Sequence, residues 1–122
     1  MEKYIEVMKK SIELSETIIE GLQHIQTLLN EGKHEQSVFM FEDVLQASET
    51  IARTIEPAIK ELNNEGIPAK QTEFSKAVEL VVTAYEEKNY PKAQEILQFT
   101  LVPQFKKLKE ALEQAFRPYT IS

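Results

Sequence analysis

A chain of 122 residues, 42% apolar and 28% charged, has the size and composition of one soluble domain with a single core. Its net charge of −6 repels phosphate backbones and anionic lipid, so neither nucleic acid nor a membrane surface is expected as a partner. Cysteine is absent, which excludes disulfides, thiolate metal sites and thiol catalysis, and the three glycines favour long periodic segments over a loop-rich enzyme.

The first ten residues mix Glu2, Lys3, Glu6, Lys9 and Lys10 with apolar side chains, so no signal-peptide core is read there. No apolar run approaches the roughly 18 residues of a membrane span. A cytoplasmic location is expected.

The first periodic segment runs from about Tyr4 to Asn30. With Ile5 at heptad position a, Ile12, Ile19 and Gln26 follow at a, and Met8, Ser15, Leu22 and Leu29 fall at d. Tyr4, Ile18 and Ile25 at g widen the stripe, and Glu6, Glu13 and Glu20 form the wet face. Gly32, just beyond, suits a left-handed helix stop.

The second segment, about Glu35 to Leu62, places Val38, Leu45, Ala52 and Ile59 at a, and Phe41, Ser48, Ile55 and Leu62 at d, with Val44, Ile51 and Ala58 at g. Glu49 with Arg53, and Glu56 with Lys60, are spaced for i,i+4 ion pairs. Pro57 falls on the exposed side, where it removes a backbone hydrogen bond and should kink or loosen the last turns. Asn63-Asn64-Glu65-Gly66 ends the helix, with Gly66 expected in the left-handed position.

Pro68 suits the first turn of a third helix that reaches about Lys88, with Phe74, Val78, Val81, Val82 and Tyr85 inward. Pro91 opens a fourth, carrying Ile96, Leu97, Leu101, Phe105, Leu108, Leu112 and Phe116 to about Arg117, with a kink expected at Pro103. The tail leaves the helical pattern at Pro118. Short loops between helices make neighbours antiparallel. The predicted fold is one all-α domain over residues 1–122, an up-down-up-down four-helix bundle of two hairpins at about 4–62 and 68–117.

A shift of 56 residues superimposes the apolar patterns of the hairpins: Ile18 on Phe74, Leu22 on Val78, Phe41 on Leu97, Leu45 on Leu101 and Ala52 on Leu108. It also lays Gly32-Lys33-His34 on Lys88-Asn89-Tyr90. Identities over the aligned part are limited to Thr27/Thr83, Glu31/Glu87 and Leu45/Leu101, so duplication and two merely similar hairpins both fit. Asn89-Tyr90-Pro91-Lys92-Ala93 resembles the turn before the second helix of a tetratricopeptide repeat, but the period of about 34 residues and the other consensus positions are missing.

Chemistry-bearing residues are few. His24 lies on the exposed face of the first helix, the geometry of a phosphotransfer bundle, but Ile25-Gln26-Thr27 after it does not match that motif. Glu31 and His34 have the Glu-x-x-His spacing of di-iron bundles, in a single copy broken by Gly32. Lys106, Lys107 and Lys109 read as a solvated face or a small anion site. No catalytic arrangement, cofactor motif or metal set can be assembled, and a non-enzymatic role is expected.

Two departures from an ideal bundle draw attention. Ser15 and Ser48 interrupt the seam at one level, and the 56-residue shift carries them to Gln71 and Gln104, a candidate polar layer that could set register or line a pocket. Leu14, Leu28, Phe39, Met40, Phe99 and Val102 are apolar outside the seam, a candidate surface for a protein partner or for self-association as a homodimer. In size, acidity and helicity the chain is similar to small bacterial secretion and flagellar chaperones, a likeness of fold alone. The expected function is an adaptor or chaperone-like interaction module. The alternative is a signalling or metal-binding bundle using His24, or Glu31 with His34.

Overall fold

In the computed structural model, which describes residues 1–121, the periodic segments are helices. A 3-10 turn (Glu2–Tyr4) precedes α1 (Ile5–Asn30), α2 (His34–Glu61) and α3 (Gly66–Glu86). α4 (Tyr90–Ile96), a π-helical turn (Leu97–Leu101) and α5 (Val102–Thr120) follow without a break as one rod. No strand occurs among the described residues, and the chain is an all-α four-helix bundle of two hairpins.

Three helix ends are built alike. At each, the chain turns through one left-handed residue, whose own amide and the one after it close back onto carbonyls of the last turn. Gly32 (φ 75°) does this after α1, where Lys33 N–H donates to Leu28 O at 2.8 Å and Gly32 N–H to Leu29 O at 3.1 Å. Lys88 (φ 57°) repeats the turn after α3, with Asn89 N–H on Ala84 O and Lys88 N–H on Tyr85 O. After α2 the left-handed residue is Asn63 (φ 51°), not Gly66. Asparagine tolerates that region well, which frees Gly66 to open α3. There Asn64 Oδ1 accepts the Ile67 N–H at 2.8 Å, relieving one of the unpaired donors of the helix start.

The prolines interrupt less than their chemistry suggests. Pro57 lies inside α2 on its exposed side and the helix continues to Glu61. α5 likewise runs through Pro118 to Thr120, so the tail does not leave the helix at Pro118. Pro118 is exposed, and so is Gln114, so the carbonyl that loses its helical partner lies on the solvent side of the helix. Pro103 has the larger effect. It has no N–H for the Phe99 carbonyl and its ring crowds that group; the chain widens just before it, and Val102 N–H donates to Leu97 O, five residues back.

That widened turn holds one extra residue and resets the internal repeat. Up to Leu97 the hairpins correspond at a shift of 56: Ile18 and Phe74, Ile25 and Val81, Ser37 and Ala93, Phe41 and Leu97 are all buried. Beyond it the buried positions correspond at 57, pairing Val44 with Leu101, Ile51 with Leu108, Ile55 with Leu112 and Ile59 with Phe116. The turns superimpose in detail: Glu31 and Glu87 both have φ −83° and ψ 0°. Beyond the widened turn the expected matches of Leu45 with Leu101, Ala52 with Leu108 and Ser48 with Gln104 are therefore one residue off, and Ser48 corresponds to Phe105.

The core also rotates relative to the expected seam. On α1 and α2 the buried line is d and g (Met8, Ser11, Ser15, Ile18, Leu22, Ile25; Ser37, Phe41, Val44, Ile51, Ile55, Ala58). Most a positions, among them Ile12, Ile19, Leu45 and Ala52, stay half-buried or exposed at the seams with neighbouring helices. Gly21 lies where α1 meets α2: a Cβ there would come within 2.8 Å of Val44 Cγ2.

Candidate functional site

α1 packs closely on both α2 and α5, and α3 on the α4–α5 rod, whereas α2 and α3 meet thinly. The open seam is a groove of about 270 Å³. Phe105, Leu108 and Leu112 of α5, with Phe74 and Ile51, form its apolar floor. Leu45, Ser48, Glu49 and Ala52 of α2 and Gln71, Ser75, Val78 and Glu79 of α3 form its walls.

The internal repeat explains why this seam is open. Exchanging the hairpins maps the α2/α3 seam onto the α1/α5 seam, and that one is closed. Ser15 and Leu22 of α1 are fully buried, while their counterparts Gln71 and Val78 remain half-buried. On the closed side Lys109 of α5 lays its aliphatic stem along the seam, 18% exposed, and its ammonium lies 2.8 Å from Glu113 and 3.9 Å from Glu16 of α1. The position corresponding to Lys109 is Ala52, and that corresponding to Glu16 is Thr72. A methyl group replaces a long amphipathic chain, so the trough is left uncovered.

The groove itself is lined by acidic charge, and the adjoining cleft of the same seam, which shares Glu49, Ala52 and Gln71 with it, carries Arg53 and Lys60. Glu49 and Glu79 are its charged lining residues, on opposite walls, and neither has an ion-pair partner among the described residues. The expected pairing of Glu49 with Arg53 is not made, although Glu56 and Lys60 do pair at 3.1 Å. Ser48, on the groove wall, donates its Oγ–H to Leu45 O in its own helix at 3.0 Å.

The candidate polar layer splits accordingly. Ser48 and Gln71 line the groove together. Ser15 is wholly buried and donates to Ile12 O at 2.7 Å, with no hydrogen bond to Ser48 among the described residues. Gln104 faces another cleft, beside Ala69, Lys70, Glu73 and Lys107, with a buried Oε1 that has no hydrogen-bond partner among the described residues.

The candidate apolar surface is not one surface. Leu28 and Val102 are buried, contrary to the expectation, because the core line is rotated and, for Val102, because the widened turn swings the start of α5 inward. Leu14 and Met40 are half-buried against the core. Phe39 (59% exposed) and Phe99 (69%) do face water, as does Leu80, each on a separate helical segment.

His24 is exposed. Glu31 pairs with Lys33 at 3.2 Å, and the His34 ring stacks on Tyr90 with centroids 3.7 Å apart, so the Glu-x-x-His pair is turned to other contacts. His34 and Tyr90 are themselves equivalent residues of the repeat, each the first of its helix. Beneath them Tyr85 O–H donates to the buried Ser37 Oγ at 3.0 Å, which donates to His34 O at 2.6 Å. Burial pushes the Tyr85 phenol up from its ordinary value, although the Ser37 bond opposes this. Gln94 and Asn30 side chains add a link between the hairpins at this end. No three His, Asp or Glu come together as a metal-ligand group among the described residues.

Residues 6–111 match the family described as Domain of unknown function (DUF8042). The chain belongs to that family. The matched stretch includes the whole groove, from Leu45 to Leu108, apart from Leu112 at the far end of its floor. No curated protein and no solved structure is similar enough to match the chain. No described helix is long and apolar enough to cross a membrane.

The sequence singled out Ser48 and Gln71 but missed their neighbours. Glu79 and Ala52 carry no signal by themselves; they matter because of what stands opposite them in the other hairpin. Lys109 looked like one member of a basic cluster and is instead the bolt of the closed seam, while Lys106 and Lys107 are exposed.

Proposed function

We propose that this chain is a non-enzymatic protein-recognition module, an adaptor or chaperone-like bundle that receives an amphipathic helix of a partner in the α2/α3 groove. The observation behind this reading is the asymmetry of the two equivalent seams: one is closed by Lys109, the other is open over Phe74, Phe105, Leu108 and Leu112. A helix laid in such a groove buries apolar anchors at i, i+4 and i+7. Leu45 to Ala52 spans about 10 Å at about 1.5 Å per residue, two turns of a helix running alongside.

The test is a selection of helical peptides displayed against the immobilised chain, repeated on Ala52→Trp, which fills the groove. Selected helices should bind the wild-type chain and lose binding to Ala52→Trp at unchanged helix content and stability. Equal binding to both would refute the reading.

A further inference from the structure

We infer that the helix received by the α2/α3 groove is cationic, with Lys or Arg flanking its apolar anchors so as to meet Glu49 and Glu79, and that it comes from a different protein, not from a second copy of this chain. This rests on the groove being the recognition site.

The closed α1/α5 seam supplies the template. What covers the apolar floor there is an aliphatic stem ending in an ammonium, held by carboxylates on both flanking helices, Glu113 and Glu16. In the open seam the positions corresponding to Lys109 and Glu16 are Ala52 and Thr72, so that latch is absent, and the apolar floor lies instead between Glu49 on one wall and Glu79 on the other. Glu49 and Glu79 flank this low-polarity surface from opposite walls and make no ion pair among the described residues, so a cation seated between the walls would gain from both. The net charge of −6 favours encounter with a positive partner as well.

A second copy does not fit. The large apolar side chains exposed on this chain are Phe39, Leu80, Phe99 and Ile121. No two of them share a helix at i,i+3 or i,i+4 spacing, so the folded chain presents no helix face that could seat anchors in a groove two turns long. The volume, about 270 Å³, lies just below the usual range for small-molecule pockets (about 300–1,000 Å³) and suits a few anchoring side chains of a helix that rides above it.

Three peptides of about 18 residues, long enough to be helical, decide the matter. All carry Leu at i, i+4 and i+7; one has flanking Lys, one flanking Glu, one flanking Gln. Fluorescence anisotropy at low salt should show the Lys peptide binding about two- to thirtyfold tighter than the Gln peptide, the range expected for two surface ion pairs. The Glu peptide should be weakest, and added salt should erase the ranking. In the Glu49→Gln/Glu79→Gln variant the Lys and Gln peptides should bind alike. Equal binding of all three to the wild-type chain overturns the charge inference and leaves the groove reading standing. No binding of any of them, with hexylamine instead shifting the NMR signals of Val78 and Leu108, overturns both in favour of a small-molecule site. Concentration-dependent dimerisation lost in Ala52→Trp overturns the assignment to a different protein.

Discussion

Replacing Ala52 by leucine tests whether the open seam is real. In a closed bundle the added carbons would overpack the interface and cost about 1–3 kcal/mol. In the open groove they lie over Phe74, Phe105 and Leu108. Three carbons at about 0.8 kcal/mol each give at most about 2.4 kcal/mol, and half-burial leaves about 1.2 kcal/mol. Rotamer ordering of the leucine takes back about 0.5–1 kcal/mol, so a net stabilisation of about 0.5 kcal/mol is expected. Urea denaturation should show a midpoint raised at unchanged slope. The mirror variant, Lys109→Ala, strips the cover from the closed seam and should lower stability by about 1 kcal/mol, mostly through lost packing of the stem, since a partly exposed ion pair contributes little. Destabilisation of about 1 kcal/mol or more by Ala52→Leu would mean that α2 and α3 close in solution, and the argument from asymmetric seams would fall.

Gly21→Ala should destabilise by about 1–2 kcal/mol in thermal melts despite alanine's better helix propensity, because the new Cβ strikes Val44 Cγ2, and adding Val44→Ala should make the same change favourable. Lys88→Gly should stabilise by about 1 kcal/mol and Gly32→Ala destabilise by a similar amount, since both positions hold a left-handed backbone. Tyr85→Phe should cost about 1 kcal/mol at neutral pH by removing the donor to Ser37. The raised Tyr85 pKa also makes a pH-dependent contribution, fully present below about pH 10 and lost as pH rises through the higher folded value. The wild-type chain should therefore lose more stability above pH 10 than Tyr85→Phe does; parallel curves would remove the buried phenol from the account.

Helix existence and the left-handed stop at Gly32 were legible in the sequence because apolar periodicity and a lone glycine act locally. Which of three apolar positions per heptad faces the centre was not. With a, d and g all apolar the stripe is wide, and its rotation is set by how four helices share the interior; α1 and α2 turn d and g inward and leave a at the seams. The extra residue in the π-helical turn was equally hidden, since an apolar pattern tolerates a one-residue slip and Pro103 announces a disturbance without its form. That slip explains the mispairing of Ser48 with Gln104, and with the rotation it explains the burial of Val102. The groove is a relation between residues far apart in the chain, Ala52 against Lys109 and Thr72 against Glu16, and becomes visible once the two seams can be compared.

The central claim is that the α2/α3 seam receives a cationic helix where the α1/α5 seam does not. Methyl-resolved NMR of the full chain, titrated with the Lys-flanked peptide, tests it most directly. Shifts confined to Leu45, Val78, Leu108 and Leu112, with Ile5 and Ile12 of α1 and the exposed Leu80 unmoved, are the predicted result. Shifts centred on Leu80 or on α1, with the groove methyls silent, would contradict it.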